Sequence, residues 1–176
     1  SAYRRRGMIE MPAFDTVRLS VTPDGYVEAY TSTPSQGQSQ SSTFKLLLGQ
    51  AMGVSPDFVS VKLGNSSMSP YGSGTYASRS VVSGGGALLK AVQKLQEKLI
   101  GLASIYWGID QKLVHYRDGS VVRDDRPMEH LSLSDLGSVA YTSTLEFPID
   151  WHPGLEVNAS YSPLLPAMSS SAHLVL

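Results

Sequence analysis

Two loops of small polar residues lie within the stretch Thr33–Ser83. The first is Thr33-Pro34-Ser35-Gln36-Gly37-Gln38-Ser39-Gln40, and the second is Ser69-Pro70-Tyr71-Gly72-Ser73-Gly74-Thr75-Tyr76-Ala77-Ser78-Arg79-Ser80. A predicted helix follows each. Gly, Ser, Thr and Gln expose backbone N–H groups and short side-chain donors in place of apolar bulk. At a helix N-terminus such donors favour an anion. The pair therefore reads as a cradle for a polar, phosphate-bearing cofactor. An ordinary reading, a solvated helix cap and a Ser/Thr-rich turn, fits the composition equally well.

The flanking segments set the fold class. Val17, Leu19 and Val21 alternate, Pro23-Asp24-Gly25 turns the chain, and Tyr26–Tyr30 resumes it, which predicts a β-hairpin. Phe44, Leu47, Leu48, Ala51 and Met52 then form one apolar stripe at helical spacing, with Gly53 placed to end the helix. Val59, Val61 and Leu63 alternate as a strand. A long helix is predicted over Ala87–Tyr106, with Leu88, Val92, Leu95, Leu99, Leu102 and Tyr106 on one face. The run Gly84-Gly85-Gly86 ahead of it suits either close backbone approach or a flexible helix entry.

Beyond Trp107 the pattern turns to strands. Lys112–Arg117 and Ser120–Arg123 flank the hairpin signal Asp118-Gly119. Leu131–Gly137 reads as a short helical turn, Val139, Tyr141, Ser143 and Leu145 as an alternating strand, and Val157–Tyr161 as another strand. The expected class is α+β: a mixed or antiparallel sheet packed against two main helices, in a single domain over residues 1–176. The apolar ending Ala172-His173-Leu174-Val175-Leu176 has the character of a buried strand, so the chain reads as a piece of a larger protein.

Composition narrows the function. Of the 176 residues 41 % are hydrophobic and 16 % charged, enough for a real core. A net charge of -1 recommends neither nucleic acid nor an acidic membrane as partner, and Arg4-Arg5-Arg6 is too short to alter that. The absence of cysteine removes disulfides, Cys-ligated zinc, iron–sulfur ligation by this chain and thiol nucleophiles. No run is long enough to span a membrane and no leader pattern is present, so the expected compartment is the cytoplasm and the Asn65 and Asn158 sequons read as chance matches.

Other motifs are weaker. Gly72-x-Gly74-x-x-Ala77 fits a dinucleotide fingerprint, but the preceding strand ends near Leu63 and the region about 20 residues on is helical. His115, His130, His152 and His173 lack helical metal-site spacing, and Asp124-Asp125 reads as a solvated hairpin end. No Ser sits in a nucleophile elbow, and nothing pairs the carboxylates of Glu10, Glu28, Glu129, Glu146 and Glu156.

Taken together, Gln36-Gly37-Gln38, the helix to Gly53-Val54, Gly64-Asn65 and the run Gly72–Ser80 resemble the molybdenum-binding large subunits of the xanthine dehydrogenase, aldehyde oxidase and aerobic carbon monoxide dehydrogenase family. The carbon monoxide dehydrogenase-like branch is the most similar, and the resemblance covers nearly all the chain. It implies that Gly37 and Gln38 match the second and third positions of the family's Met-Gly-Gln-Gly loop, which touches molybdopterin. Gln36 stands in place of Met, and Ser39 in place of the last Gly, where a β-carbon disfavours positive φ.

The resemblance further implies that Ala77, Ser78, Arg79, Ser80 and Val81 match the positions whose backbone N–H groups and hydroxyls hold the cofactor. Arg79 would pair with a phosphate or a cytosine-nucleotide tail, or would hold the loop by a structural salt bridge. The cofactor would be molybdopterin with molybdenum, in plain or cytosine dinucleotide form. The metal would be held by the cofactor's dithiolene, with no protein ligand. Iron–sulfur and FAD groups would sit on other chains or segments. The family's catalytic glutamate loop and Gly-Gly-Phe-Gly segment have no match here, so the chain is expected to hold one side of the cofactor without completing a turnover alone. Two rivals remain at this point: a non-catalytic interaction module completed by a partner strand, and a nucleotide-binding domain using Gly72–Ala77.

Overall fold

The predicted hairpin opens the ordered fold. β1 (Asp15–Val21) and β2 (Val27–Thr31) are antiparallel, in register from Val17 opposite Thr31 to Val21 opposite Val27. Their alternation places Val17, Leu19, Val21, Val27 and Ala29 inward, and all five are buried. A computed structural model of the protein describes residues 14–76, 78–143, 147–148, 151–152 and 154–163. Arg4-Arg5-Arg6, Leu145 and the apolar ending Ala172–Leu176 lie outside the described residues.

The first loop leads into α1 (Gln40–Met52), which buries Phe44, Leu48 and Met52 and ends on Gly53 at φ 64. A short 3-10 turn, Pro56–Phe58, passes the chain to β3 (Val59–Leu63), which pairs parallel with β2 from Val27 opposite Val59 to Thr31 opposite Leu63. Parallel neighbours need a crossover, and α1 supplies it. β7 (Glu156–Tyr161) adds antiparallel to the other side of β1. The resulting mixed sheet has the order β3-β2-β1-β7.

α2 (Gly85–Trp107) lies against β1, β7 and α1, burying Ala87, Leu88, Ala91, Val92, Leu95, Leu99 and Leu102. It starts earlier than the spacing of its leucines predicts, because a π-helical turn over Ser80–Gly84 runs directly into it. The glycines there serve close approach within the protein itself. A β-carbon on Gly84 would lie 2.7 Å from Thr33 Oγ1 and 2.9 Å from Phe44 Cζ, and one on Gly86 would meet the Tyr161 ring. The flexible entry is thereby replaced by a tightly packed one.

The second sheet is antiparallel, in the order β4 (Val114–Arg117), β5 (Ser120–Arg123), β6 (His130–Ser132). Asp118 and Gly119 turn the hairpin at φ 45 and 77, the positive pair that a two-residue turn requires. The hairpin seats on the C-terminus of α1, where Tyr116 Oη donates to the Met52 carbonyl at 2.7 Å. Burial, with the nearby Asp118 charge adding, pushes the Tyr116 hydroxyl well above its ordinary pKa.

The structure corrects one expected strand. The stretch predicted as a helical turn followed by a Val139–Leu145 strand is largely one helix, α3 (Leu133–Thr142). Leu133, Leu136, Gly137, Val139 and Ala140 are its buried face. The alternation of Val139 and Tyr141 is incidental: Tyr141 is held by its hydroxyl, which donates to the Val21 carbonyl at 3.2 Å and accepts the Leu155 N–H at 2.9 Å. A capping box starts the helix. Ser132 Oγ accepts the Asp135 N–H at 3.2 Å and Asp135 Oδ2 accepts the Ser132 N–H at 2.9 Å. Buried side chains from both sheets and all three helices form one cluster, in agreement with the expected α+β class, with α3 added to the two main helices.

Two outcomes are expected. Gly86→Ala forces a methyl into the Tyr161 ring and should destabilise the protein by about 1–3 kcal/mol in urea unfolding, with part of the loss recovered in a Tyr161→Ala background. In the capping box, hydrogen bonds from Ser132 hold the Asp135 carboxyl below the usual carboxylate range. That stabilisation is complete above the unfolded-state value and is lost as pH falls through the lower folded value. Ser132→Ala should therefore cost about 1 kcal/mol at neutral pH, and Asp135→Asn should flatten the acid limb of α3 amide protection.

Candidate functional site

The two loops predicted to form a cradle meet in space. Thr75 Oγ1 donates to the Pro34 carbonyl at 2.5 Å, and Gln36 Nε2 donates to the Thr75 carbonyl at 3.2 Å. Gly64, at φ 58, lies against Pro34 so closely that a β-carbon there would sit 2.7 Å from Pro34 Cβ. The first loop is thus clasped between the end of β3 and the second loop.

Each loop brings a serine into the left-handed region just before a helix begins. Ser39 has φ 61 and Ser78 has φ 55, and Asp118 is the only other non-glycine residue with positive φ among the described residues. A left-handed residue with a β-carbon costs roughly 1–2 kcal/mol, and such strain gathers at functional sites. Ser39 therefore does adopt the conformation that a β-carbon disfavours. It is the N-cap of α1 and makes no side-chain cap, and Arg79, at the start of the π-helical turn, makes none either. The first N–H groups of both helical segments are left without a side-chain cap, as at anion sites.

The individual residues fall as follows. Gly37 is exposed at φ 91 with open space around its α-carbon. Gln38 is exposed, and its Oε1 accepts the Gln36 N–H at 2.6 Å, curling the loop. Ser78 is exposed, Ser80 is buried at the start of the π-helical turn, and Val81 is exposed beside Leu47 and Gly85. Ala77 lies outside the described residues. Thr33 Oγ1 and Gln40 Oε1, which flank the first loop, are buried and find no hydrogen-bond partner among the described residues.

Of the two readings of Arg79, the geometry shows the structural salt bridge. Its guanidinium turns inward, 3.2 Å from Asp15 Oδ2, while Nη1 donates to the Gly74 carbonyl at 3.2 Å and the group lies over the Tyr76 ring. Asp15 is fully buried. Its Oδ2 accepts from Ser83 Oγ at 2.5 Å and its Oδ1 from Ser32 Oγ at 3.1 Å. Gly72 passes directly over this group, since a β-carbon there would lie 2.9 Å from Asp15 Oδ1. Reading the sequence missed Asp15. The one available signal was a carboxylate opening an apolar strand.

Among the remaining candidates, His115, Asp124 and Asp125 stand in ordinary pairs, and Glu10, Glu146 and His173 lie outside the described residues. His115 Nε2 and Asp124 Oδ2 are 2.9 Å apart on the surface, and Arg123 makes paired hydrogen bonds to Asp125 at 2.7 Å. Among the described residues no group of three or more His, Asp or Glu side chains is placed to hold a metal. No strand leads directly into Gly72, because β3 ends at Leu63, so the dinucleotide fingerprint lacks its context.

Two donor-rich loops are thus clasped together at the starts of two helical segments of an α+β domain. The chain belongs to the molybdopterin cofactor-binding domain family, whose pattern matches residues 3–173. It is 25 % identical over 162 residues to the nicotine 6-hydroxylase large subunit of Paenarthrobacter nicotinovorans, covering 92 % of this chain and 20 % of that one. It is 29 % identical over 157 residues to the carbon monoxide dehydrogenase large chain of Afipia carboxidovorans, covering 85 % and 18 %. Among solved structures, a Cu,Mo-carbon monoxide dehydrogenase superposes with a TM-score of 0.78 at 28 % identity, covering 86 % of this chain and 19 % of that one. Quinoline 2-oxidoreductase from Pseudomonas putida 86 gives 0.75 at 27 % identity, covering 86 % and 19 %. The chain spans about a fifth of the length of these relatives. The resemblance to molybdenum-enzyme large subunits, including the carbon monoxide dehydrogenase-like branch, is thereby shown.

Removing the buried carboxylate should be costly. Asp15→Ala strands the Arg79 guanidinium, and thermal unfolding should report a loss of about 3–5 kcal/mol. Ser83→Ala removes one donor and no charge, and should cost about 1–3 kcal/mol.

Proposed function

We propose that the clasped loops hold one side of a molybdopterin cofactor in a molybdenum hydroxylase subunit. The carrying observation is the direct hydrogen bonding of the two loops, each with a left-handed serine at the threshold of a helix. The residues fit the group. Phosphate and pterin oxygens and nitrogens need many short, fixed partners, and uncapped helix starts, exposed hydroxyls and buried orphan oxygens supply both donors and acceptors.

In this reading Gly37 lets the first loop approach the cofactor by its backbone, and Gln38 presents its amide. Ala77, Ser78, Arg79, Ser80 and Val81 contribute through backbone N–H groups, with the Ser78 and Ser80 hydroxyls as further donors. The same donors suit the cytosine dinucleotide form. When bound, the cofactor supplies oxidation of a small-molecule substrate with oxygen drawn from water, and the protein's part is to position it. The rest of the molybdenum subunit would complete the turnover, and iron–sulfur and flavin subunits or domains would carry the electrons away, in the cytoplasm. Among the described residues no helix is long and apolar enough to cross a membrane.

The test uses the full-length molybdenum subunit in its complex. Gly37→Val and Gln38→Ala should each lower bound pterin and molybdenum by about 10-fold or more if they remove hydrogen bonds to a charged group. Pterin is measured by fluorescence of its released oxidation product, and molybdenum by elemental analysis. Wild-type contents in variants that fold like wild type would sink the reading.

A further inference from the structure

The buried carboxylate of Asp15 does more than the fold requires of it. β1 pairs with β7 from Asp15 to Ser20, and with β2 from Val17 to Val21, so the ladder reaches Asp15 from the β7 side. Yet its first residue gathers side chains from three other segments: Ser32 after β2, Arg79 in the second loop and Ser83 in the π-helical turn. Arg79 relays this grip back to the Gly74 carbonyl, so that Gly74–Arg79 closes into a ring around Ser78. A second tether holds the same loop to the residue before β1, since Ser73 N–H donates to the Phe14 carbonyl at 3.0 Å and Ser73 Oγ accepts the Phe14 N–H at 3.2 Å. Ser78, left-handed and exposed, lies one residue before the buried Arg79–Asp15 pair in this loop.

We infer that Asp15 is a positioning residue for the cofactor loop. Through Arg79 it fixes the left-handed geometry of Ser78, and so the direction of the donors at 78–81, without touching the cofactor itself. This rests on the function proposed above. An ion pair suits the task because it imposes one arrangement on segments that would otherwise relax independently. The exposed face of the loop is then free to serve a ligand.

The experiment compares Asp15→Asn, Arg79→Gln and the double variant in the assembled enzyme. Two readouts are taken on each: amide hydrogen exchange across residues 72–83 against that of β1 and β2, and pterin content per molybdenum subunit. Asp15→Asn should speed exchange at 74–80 by at least about 10-fold while β1 and β2 stay protected, a local opening, and should lower pterin content several-fold. The double variant restores a neutral hydrogen-bonded pair, and should recover part of both losses. Ser83→Ala, which leaves the charges paired, should shift both readouts in the same direction by less, and serves if Asp15→Asn fails to fold.

Unchanged exchange at 74–80 in every variant would overturn the positioning role while leaving the proposed cofactor function to the Gly37 and Gln38 variants. Faster exchange with unchanged pterin would also overturn it. If the Gly37 and Gln38 variants kept their pterin as well, the proposed function itself would fail.

Discussion

The loop architecture depends on one buried carboxylate. Asp15 has no access to solvent, and a charge so placed is tolerated only when donors surround it. Ser32 and Ser83 donate to it and the Arg79 guanidinium pairs with its charge, which joins β1 to the exit of β2, the second loop and the entry of α2. The first loop is then fixed at second hand, through Thr75 and Gln36. Apolar burial under α2 makes the fold stable, and the polar node ties together the segments from which its loops leave.

Strain and packing share the work between the loops and the helices behind them. Gly84 and Gly86 let α2 lie against Thr33, Phe44 and Tyr161, where any side chain would hold it off. The loops can then reach each other across a short gap. Ser39 and Ser78 absorb the turning that remains, and they do so without the steric freedom glycine would have given. A serine is tolerated at those positions because its surroundings over-determine the backbone, and it offers a hydroxyl that glycine lacks.

Much of this was legible in the sequence, for identifiable reasons. The hairpin at 15–31 and the stripes of α1 and α2 follow from periodicity, since each element buries one face against the same core. Asp118-Gly119 announced its turn because few dipeptides accept two positive φ values. α3 was hidden. Its short buried face mimics alternation over Val139–Tyr141, and its true signal is the Ser132–Asp135 box just upstream. The loops could be recognised as donor-rich and as one cradle, but the bonds that join them could not be read off, because Thr75–Pro34 and Gln36–Thr75 are contacts at long sequence separation. The inward course of Arg79 was equally hidden, because its partner, Asp15, is remote along the chain.

The π-helical turn over Ser80–Gly84 feeds one extra residue into the junction between the second loop and α2. An i→i+5 turn takes one residue more than an i→i+4 turn to come round once, so the surplus is absorbed without rotating α2 away from the face it buries. Loss of one residue there would heal the helix into regular form and leave Ser78 and its neighbours facing nearly the same way. It would remove one backbone N–H from the threshold of the helix. Length in that segment therefore sets how much backbone is offered at the helix start, whereas insertions elsewhere in the second loop alter its reach.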